Sequence, residues 1–176
     1  MQIIETAFPE TLHQSLKSAL LSSSLYSSTK TEWLVMLQNR KVINETMMQM
    51  FDPIESWVKT NYFSDIISYN FDGYYHTGKE IISEEGELID WHTDSSDEDN
   101  KRFATVSDDQ FKCKTLVYYP DTHDSILEFR RNNVIQKISV TENKVIIFNS
   151  NHEHRVIMND VTGRRVALTY MFLIKN

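Results

Sequence analysis

His92 and Asp94 are separated by one residue in the run WHTD. In an extended strand, residues i and i+2 point to the same side, so an imidazole nitrogen and a carboxylate oxygen can aim at one point. A second imidazole, His154, follows far downstream in NHEHRV, and Arg164–Arg165 open the run RRVALT after a polar turn. Two His and one carboxylate on one face of an octahedral ion leave three positions open. That arrangement suits non-haem Fe(II) that must bind a chelating cosubstrate and O2. Arg165 supplies the other end of such a site, because a guanidinium at the inner end of a small cavity can grip a carboxylate in a bidentate way. Metal at one end and Arg at the other make a slot for a dicarboxylate. Each member alone is unspecific: an HxD pair is commonly a turn, a lone His structural, a lone Arg a surface residue. The ordered set, in a strand-rich region, is specific.

These residues require strands that bring distant segments together. After about residue 64 the apolar pattern becomes two-fold, and 65–71, 87–92, 113–119, 125–130, 134–140, 144–148, 153–158 and 164–173 read as short strands rich in β-branched and aromatic residues. Many short strands split by polar turns predict a sandwich or barrel. The first third reads as largely helical. Leu12, Leu16, Ala19 and Leu20 give an amphipathic helix from Pro9 to about Leu25, and Asp52-Pro53-Ile54-Glu55 is a helix-start signal. Residues 31–38 lean towards strand. The expected organisation over 1–176 is therefore one domain, with a helical support region over 1–63 and a β core over 64–176. Asn159–Gly163 reads as the turn before the last strand, and the acid-rich SSDEDN after Asp94 reads as a solvated loop.

Composition narrows the classes. The 176 residues are 40% hydrophobic and 24% charged, which excludes a wholly disordered chain. A single cysteine, Cys113, excludes an internal disulfide and leaves no Cys-based zinc site; it reads as a small buried hydrophobe. A net charge of −7 is a poor match for a phosphate backbone and lowers the expectation of a nucleic-acid partner. The N-terminal residues lack a signal-peptide pattern, and no apolar run is long enough for a membrane helix. The expectation is a soluble chain in the cytoplasm or another intracellular compartment, with no membrane partner.

On the motifs HxD, His154 and RVALT, the sequence resembles the Fe(II)/2-oxoglutarate-dependent oxygenases, and within them the prolyl-hydroxylase branch. The segment KCKTLVYYP resembles the strand after the HxD loop in oxygen-sensing prolyl hydroxylases. The resemblance covers about residues 65–174 and implies a double-stranded β-helix (jelly-roll) core, mainly β, with N-terminal supporting helices. By it, His92, Asp94 and His154 are the iron ligands and Arg165 pairs with the distal carboxylate of 2-oxoglutarate. Tyr119 and Thr169 also face the cosubstrate, and Leu127 is an apolar wall beside it. The implied activity is hydroxylation of a C–H bond with release of succinate and CO2. It uses Fe(II), 2-oxoglutarate and O2, with ascorbate as a further candidate, and acts on a prolyl or other residue of a protein or peptide. The same cofactor chemistry on a nucleobase or small metabolite, and a non-catalytic β-sandwich binding module, are the alternatives.

The sequence departs from that branch in two places. SEEG and an extended spacing separate HxD from Tyr69, Tyr74 and Tyr75, and Ser125 stands where a Gly-Gly is usual. His152 shares a face with His154 if the strand is regular; the resemblance implies His154, because HRV followed by a turn and Arg is the family's pattern. His76 and His123 fit no ligand spacing and are expected in turns or on the surface.

Overall fold

The computed structural model describes residues 3–22, 32–77, 87–94, 111–159 and 164–175. The SSDEDN stretch and most of the Asn159–Gly163 turn lie outside them. Among the described residues the elements run β1 (Ile4–Thr6), α1 (Glu10–Leu20), β2 (Glu32–Gln38), β3 (Lys41–Val42), α2 (Glu45–Asn61), β4 (Ile66–Thr77) and β5 (Glu87–His92). They continue with β6 (Phe111–Tyr119), β7 (Ser125–Arg131), β8 (Val134–Ser139), β9 (Lys144–Asn149), β10 (Glu153–Met158) and β11 (Arg164–Lys175). Two sheets form, a seven-stranded one ordered β1-β9-β6-β11-β4-β2-β3 and a four-stranded one ordered β5-β10-β7-β8. All pairings are antiparallel, and the architecture is the expected jelly roll with helices on the larger sheet.

Two-fold alternation divides the large sheet between two cores. Leu116, Tyr118, Val145, Ile147, Val166, Leu168 and Tyr170 pack under the helices. Their neighbours Val117, Tyr119, Ile146, Phe148 and Ala167 face the small sheet and meet Leu127, Phe129 and Val156 from it. Hence Arg165, Ala167 and Thr169 share the inner side of β11, while Arg164 is exposed.

The first third carries more strand than its periodicity suggests. β1, β2 and β3 all join the large sheet, β1 on one edge beside β9 and β2–β3 on the other. β1 and β3 are too short to show a period, so the region read as helical support also extends the sheet at both edges. α1 begins after Pro9 and buries His13, Leu16 and Leu20. Its buried His13 bonds the Tyr118 hydroxyl at 2.8 Å and Glu142 at 3.0 Å, which ties the helix to the sheet.

α2 starts earlier than Asp52. The Asn44 side chain accepts from the Met47 amide as the cap, and Pro53 lies inside the helix. The good helix formers between Asn44 and Pro53 carry the helix through the proline, which forgoes one backbone donor. Two-residue turns join β2 to β3 and β7 to β8, each built on consecutive residues of positive φ (Asn39–Arg40, Asn132–Asn133). Among the described residues, no helix is long and apolar enough to cross a membrane.

Phe148 is fully buried between the sheets and lies edge-on to Phe129 at 4.9 Å between ring centres. Truncating it leaves a cavity that a strand-bound backbone cannot collapse. Phe148→Ala should lower unfolding stability by about 3–5 kcal/mol in urea titrations, and Val134→Ala on the exposed edge by less than about 0.5 kcal/mol.

Candidate metal and carboxylate site

His92 ends β5, and His154 is its direct partner across the β5–β10 ladder. Their rings lie 4.3 Å apart, centre to centre. Asp94 follows two residues on, held by its amide donating to the Ser150 carbonyl at 3.0 Å. Ligand atoms of His92, Asp94 and His154 all lie within 4.8 Å of one another, so the three could hold a metal ion. Asp94 Oδ1 stands 3.7 Å from His92 Nε2 and 3.5 Å from His154 Nε2. These separations exceed ordinary hydrogen bonds and suit three donors turned to one point.

The tautomers follow from the second nitrogen of each ring. His92 Nδ1 is 2.7 Å from the Asp90 carbonyl, and His154 Nδ1 is 2.9 Å from the His152 carbonyl. A carbonyl only accepts, so each Nδ1 carries the proton and each Nε2 presents a lone pair. Burial holds the His154 imidazole below its ordinary range, against the upward pull of Asp94. Asp94 is oriented in its turn. Thr115 donates to its Oδ2 at 2.8 Å, and Thr115 shares a 2.8 Å bond with the Ser150 hydroxyl. Thr115 and Ser150 are both fully buried, and the arrangement leaves Oδ1 for the two imidazoles. Ser150 also reaches Cys113 Sγ at 3.2 Å. Cys113 is half-buried rather than a plain core residue.

A cavity of about 370 Å³ joins this trio to Arg165, with Tyr119, Leu127, Thr169 and Tyr74 among its walls. Arg165 is buried and donates Nη2–H to the Tyr119 hydroxyl at 3.0 Å, with its guanidinium carbon 5.1 Å from the Tyr119 ring centre. Its Nη1 lies 3.3 Å from His76 Nδ1, and its Nε is buried without a hydrogen-bond partner. Among the described residues no carboxylate pairs with this cation.

All the residues named from the sequence for this site therefore line one cavity. Of Tyr69, Tyr74 and Tyr75, Tyr74 lines it. Tyr69 bonds Asn39, and Tyr75 packs under the helices. His152 is not among the three.

Of the two histidines expected in turns or on the surface, His76 is placed otherwise, while His123 lies in the connection between β6 and β7. β4 continues past Phe71 to Thr77, so His76 stands opposite Arg165 on the neighbouring strand, buried. His123 sits edge-on to Tyr119 with both ring nitrogens buried and without a hydrogen-bond partner. Thr115 was legible in principle, since it shares the inner side of β6 with Val117 and Tyr119.

No family model matches the sequence, and no curated protein matches it either. Solved structures do match. HygX from Streptomyces hygroscopicus, with nickel and 2-oxoglutarate bound, aligns at TM-score 0.64 and 8% identity over 97% of this chain and 80% of that one. An oxidoreductase of the 2OG-Fe(II) oxygenase family from Burkholderia pseudomallei aligns at 0.64 and 10% identity, over 98% and 84%. A Trichoplax adhaerens prolyl hydroxylase, in complex with a hypoxia inducible factor oxygen degradation domain peptide, aligns at 0.58 and 13% identity, over 97% and 82%. The chain has the 2-oxoglutarate–Fe(II) oxygenase fold.

Within this fold both His76 and His123 feel the charge of Arg165. Burial first, then the guanidinium, lowers His76 from 6.5 to about 3 and His123 from 6.5 to about 4. The unfolded chain takes up protons near pH 6.5 that these buried rings refuse. Stability is thus fully present above that pH and is lost as the pH falls towards their folded values. Urea unfolding at about pH 7 and about pH 4.5 should show a smaller acid loss in His76→Asn than in the unsubstituted protein.

Proposed function

We propose that this chain is an Fe(II)- and 2-oxoglutarate-dependent dioxygenase that hydroxylates a C–H bond of a prolyl or other residue in a protein or peptide. One observation carries the reading. Two Nε2 lone pairs and one carboxylate oxygen converge at one end of a cavity whose other end is a buried Arg that, among the described residues, has no carboxylate partner. His92, Asp94 and His154 hold the metal; neutral imidazole and carboxylate are the donor set expected for non-haem Fe(II). Arg165 grips the distal carboxylate of 2-oxoglutarate, Tyr119 holds one arm of its guanidinium, and the Thr169 hydroxyl adds a contact. Leu127, with Val117 and Val156, gives apolar walls that exclude water.

Bound iron supplies the oxidising chemistry, in which 2-oxoglutarate and O2 become succinate and CO2 while a substrate C–H becomes C–OH. The peptide in the Trichoplax enzyme supports a polypeptide substrate, as does the resemblance of KCKTLVYYP to that branch.

Asp94 is the sole anion of the ligand set and stands outside the packed core. Asp94→Ala should abolish tight Fe(II) binding in anaerobic titration while the melting curve of the apoprotein stays in place. His152→Ala should keep the metal, and loss of iron in that variant would move the ligand assignment. Thr115→Val, which frees Asp94 to rotate, should weaken the metal by about tenfold or more.

Arg165→Lys keeps the charge but loses the fork, so it should weaken 2-oxoglutarate more than it weakens iron. Arg165→Ala should cost about 2–5 kcal/mol of cosubstrate binding, because the buried carboxylate loses its partner. Arg164→Ala, on the exposed side of the same strand, should leave that affinity nearly unchanged. Calorimetric titration of 2-oxoglutarate into the Mn(II)-loaded proteins separates these outcomes.

A further inference from the structure

We propose that His76 is a positioning residue that fixes the Arg165 guanidinium and so sets which length of 2-oxo dicarboxylate the cavity accepts. This rests on the reading of the site given above. An Arg side chain on a strand rotates about several bonds, and a single hydrogen bond leaves its fork free to swing. Arg165 has two anchors on different nitrogens, Tyr119 on Nη2 at 3.0 Å and His76 on Nη1 at 3.3 Å. Both terminal nitrogens are thereby tied, while Nε is buried and has no hydrogen-bond partner among the described residues.

The His76 anchor is itself immobilised. It is buried, sits directly across the β4–β11 ladder from Arg165, and lies parallel to the Tyr74 ring, 5.9 Å away at 5°. Arginine only donates, so His76 Nδ1 accepts and must be unprotonated. The buried ring's strongly lowered proton affinity keeps it an acceptor throughout the neutral range. With the fork fixed at one end and the His92–Asp94–His154 trio at the other, the gap between them has one length. A dicarboxylate one carbon shorter or longer meets only one end in register.

The test uses the Mn(II)-loaded protein and three probes: oxaloacetate, 2-oxoglutarate and 2-oxoadipate. His76→Phe keeps a flat ring against Tyr74 but offers no acceptor. It should weaken 2-oxoglutarate roughly tenfold and narrow the preference over the other two acids, with Mn(II) affinity unchanged. His76→Asn places an amide oxygen near the position of Nδ1 and should restore both affinity and preference. Unchanged affinity and preference in His76→Phe, or an Asn variant as impaired as the Phe variant, would overturn the inference.

Should the Phe variant fail to fold, 15N NMR of the unsubstituted protein decides the matter. A bare Nδ1 on His76 supports the inference and a protonated one overturns it. Failure of the unsubstituted Mn(II) protein to bind any of the three acids removes the reading of the site, and this inference with it. Binding that is indifferent to His76 removes this inference alone.

Discussion

The direct opposition of His92 and His154 across the β5–β10 ladder is the contact on which the rest of the site depends. Each imidazole is oriented, with Nε2 turned towards the site, by a hydrogen bond from Nδ1 to a backbone carbonyl two residues away. The backbone thus sets the chemistry of the rings, and the ladder sets their distance. Register irregularities on either side of Val156 let the two strands bring these rings into opposition while the rest of the pairing runs on.

The second constraint is electrostatic. Among the described residues the buried Arg165 guanidinium meets a hydroxyl and an imidazole but no carboxylate, which is costly unless an anion arrives. The surrounding groups are tuned to that state. Tyr119 and His76 accept from Arg165 without neutralising it, and the nearby His123 is discouraged from adding a like charge. At the opposite end Asp94 has its second oxygen committed to Thr115. One end is therefore matched to a cation and the other to an anion, across a single apolar-walled cavity.

Much of this was legible because strand alternation is a strict rule. Arg165, Ala167 and Thr169 had to share a side, as did Thr115, Val117 and Tyr119, once the strands were recognised. The spacing of His92 and Asp94 carried the same information. What escaped depended on tertiary pairing. His76 was hidden because β4 was read as ending at Phe71; its continuation through Gly73 is supported by β2 on one side and β11 on the other. β1 and β3 are too short to show a period, and α2 was misplaced because Asp52-Pro53 carries a start signal that the upstream Asn44 cap overrides.

The edge position of β1 bears on how the molecule is made. Residues near the N-terminus dock against β9, and the Phe8 amide bonds the Asn143 side chain 135 positions later. Loop closure over such a span contributes nothing until most of the chain is available, so the large sheet has a high contact order and assembles late. During synthesis β1 and the apolar side of α1 are made before the β9 edge that β1 will cover. Of the pairings in the large sheet among the described residues, β1 with β9 closes the longest stretch of chain, so it carries the greatest closure cost.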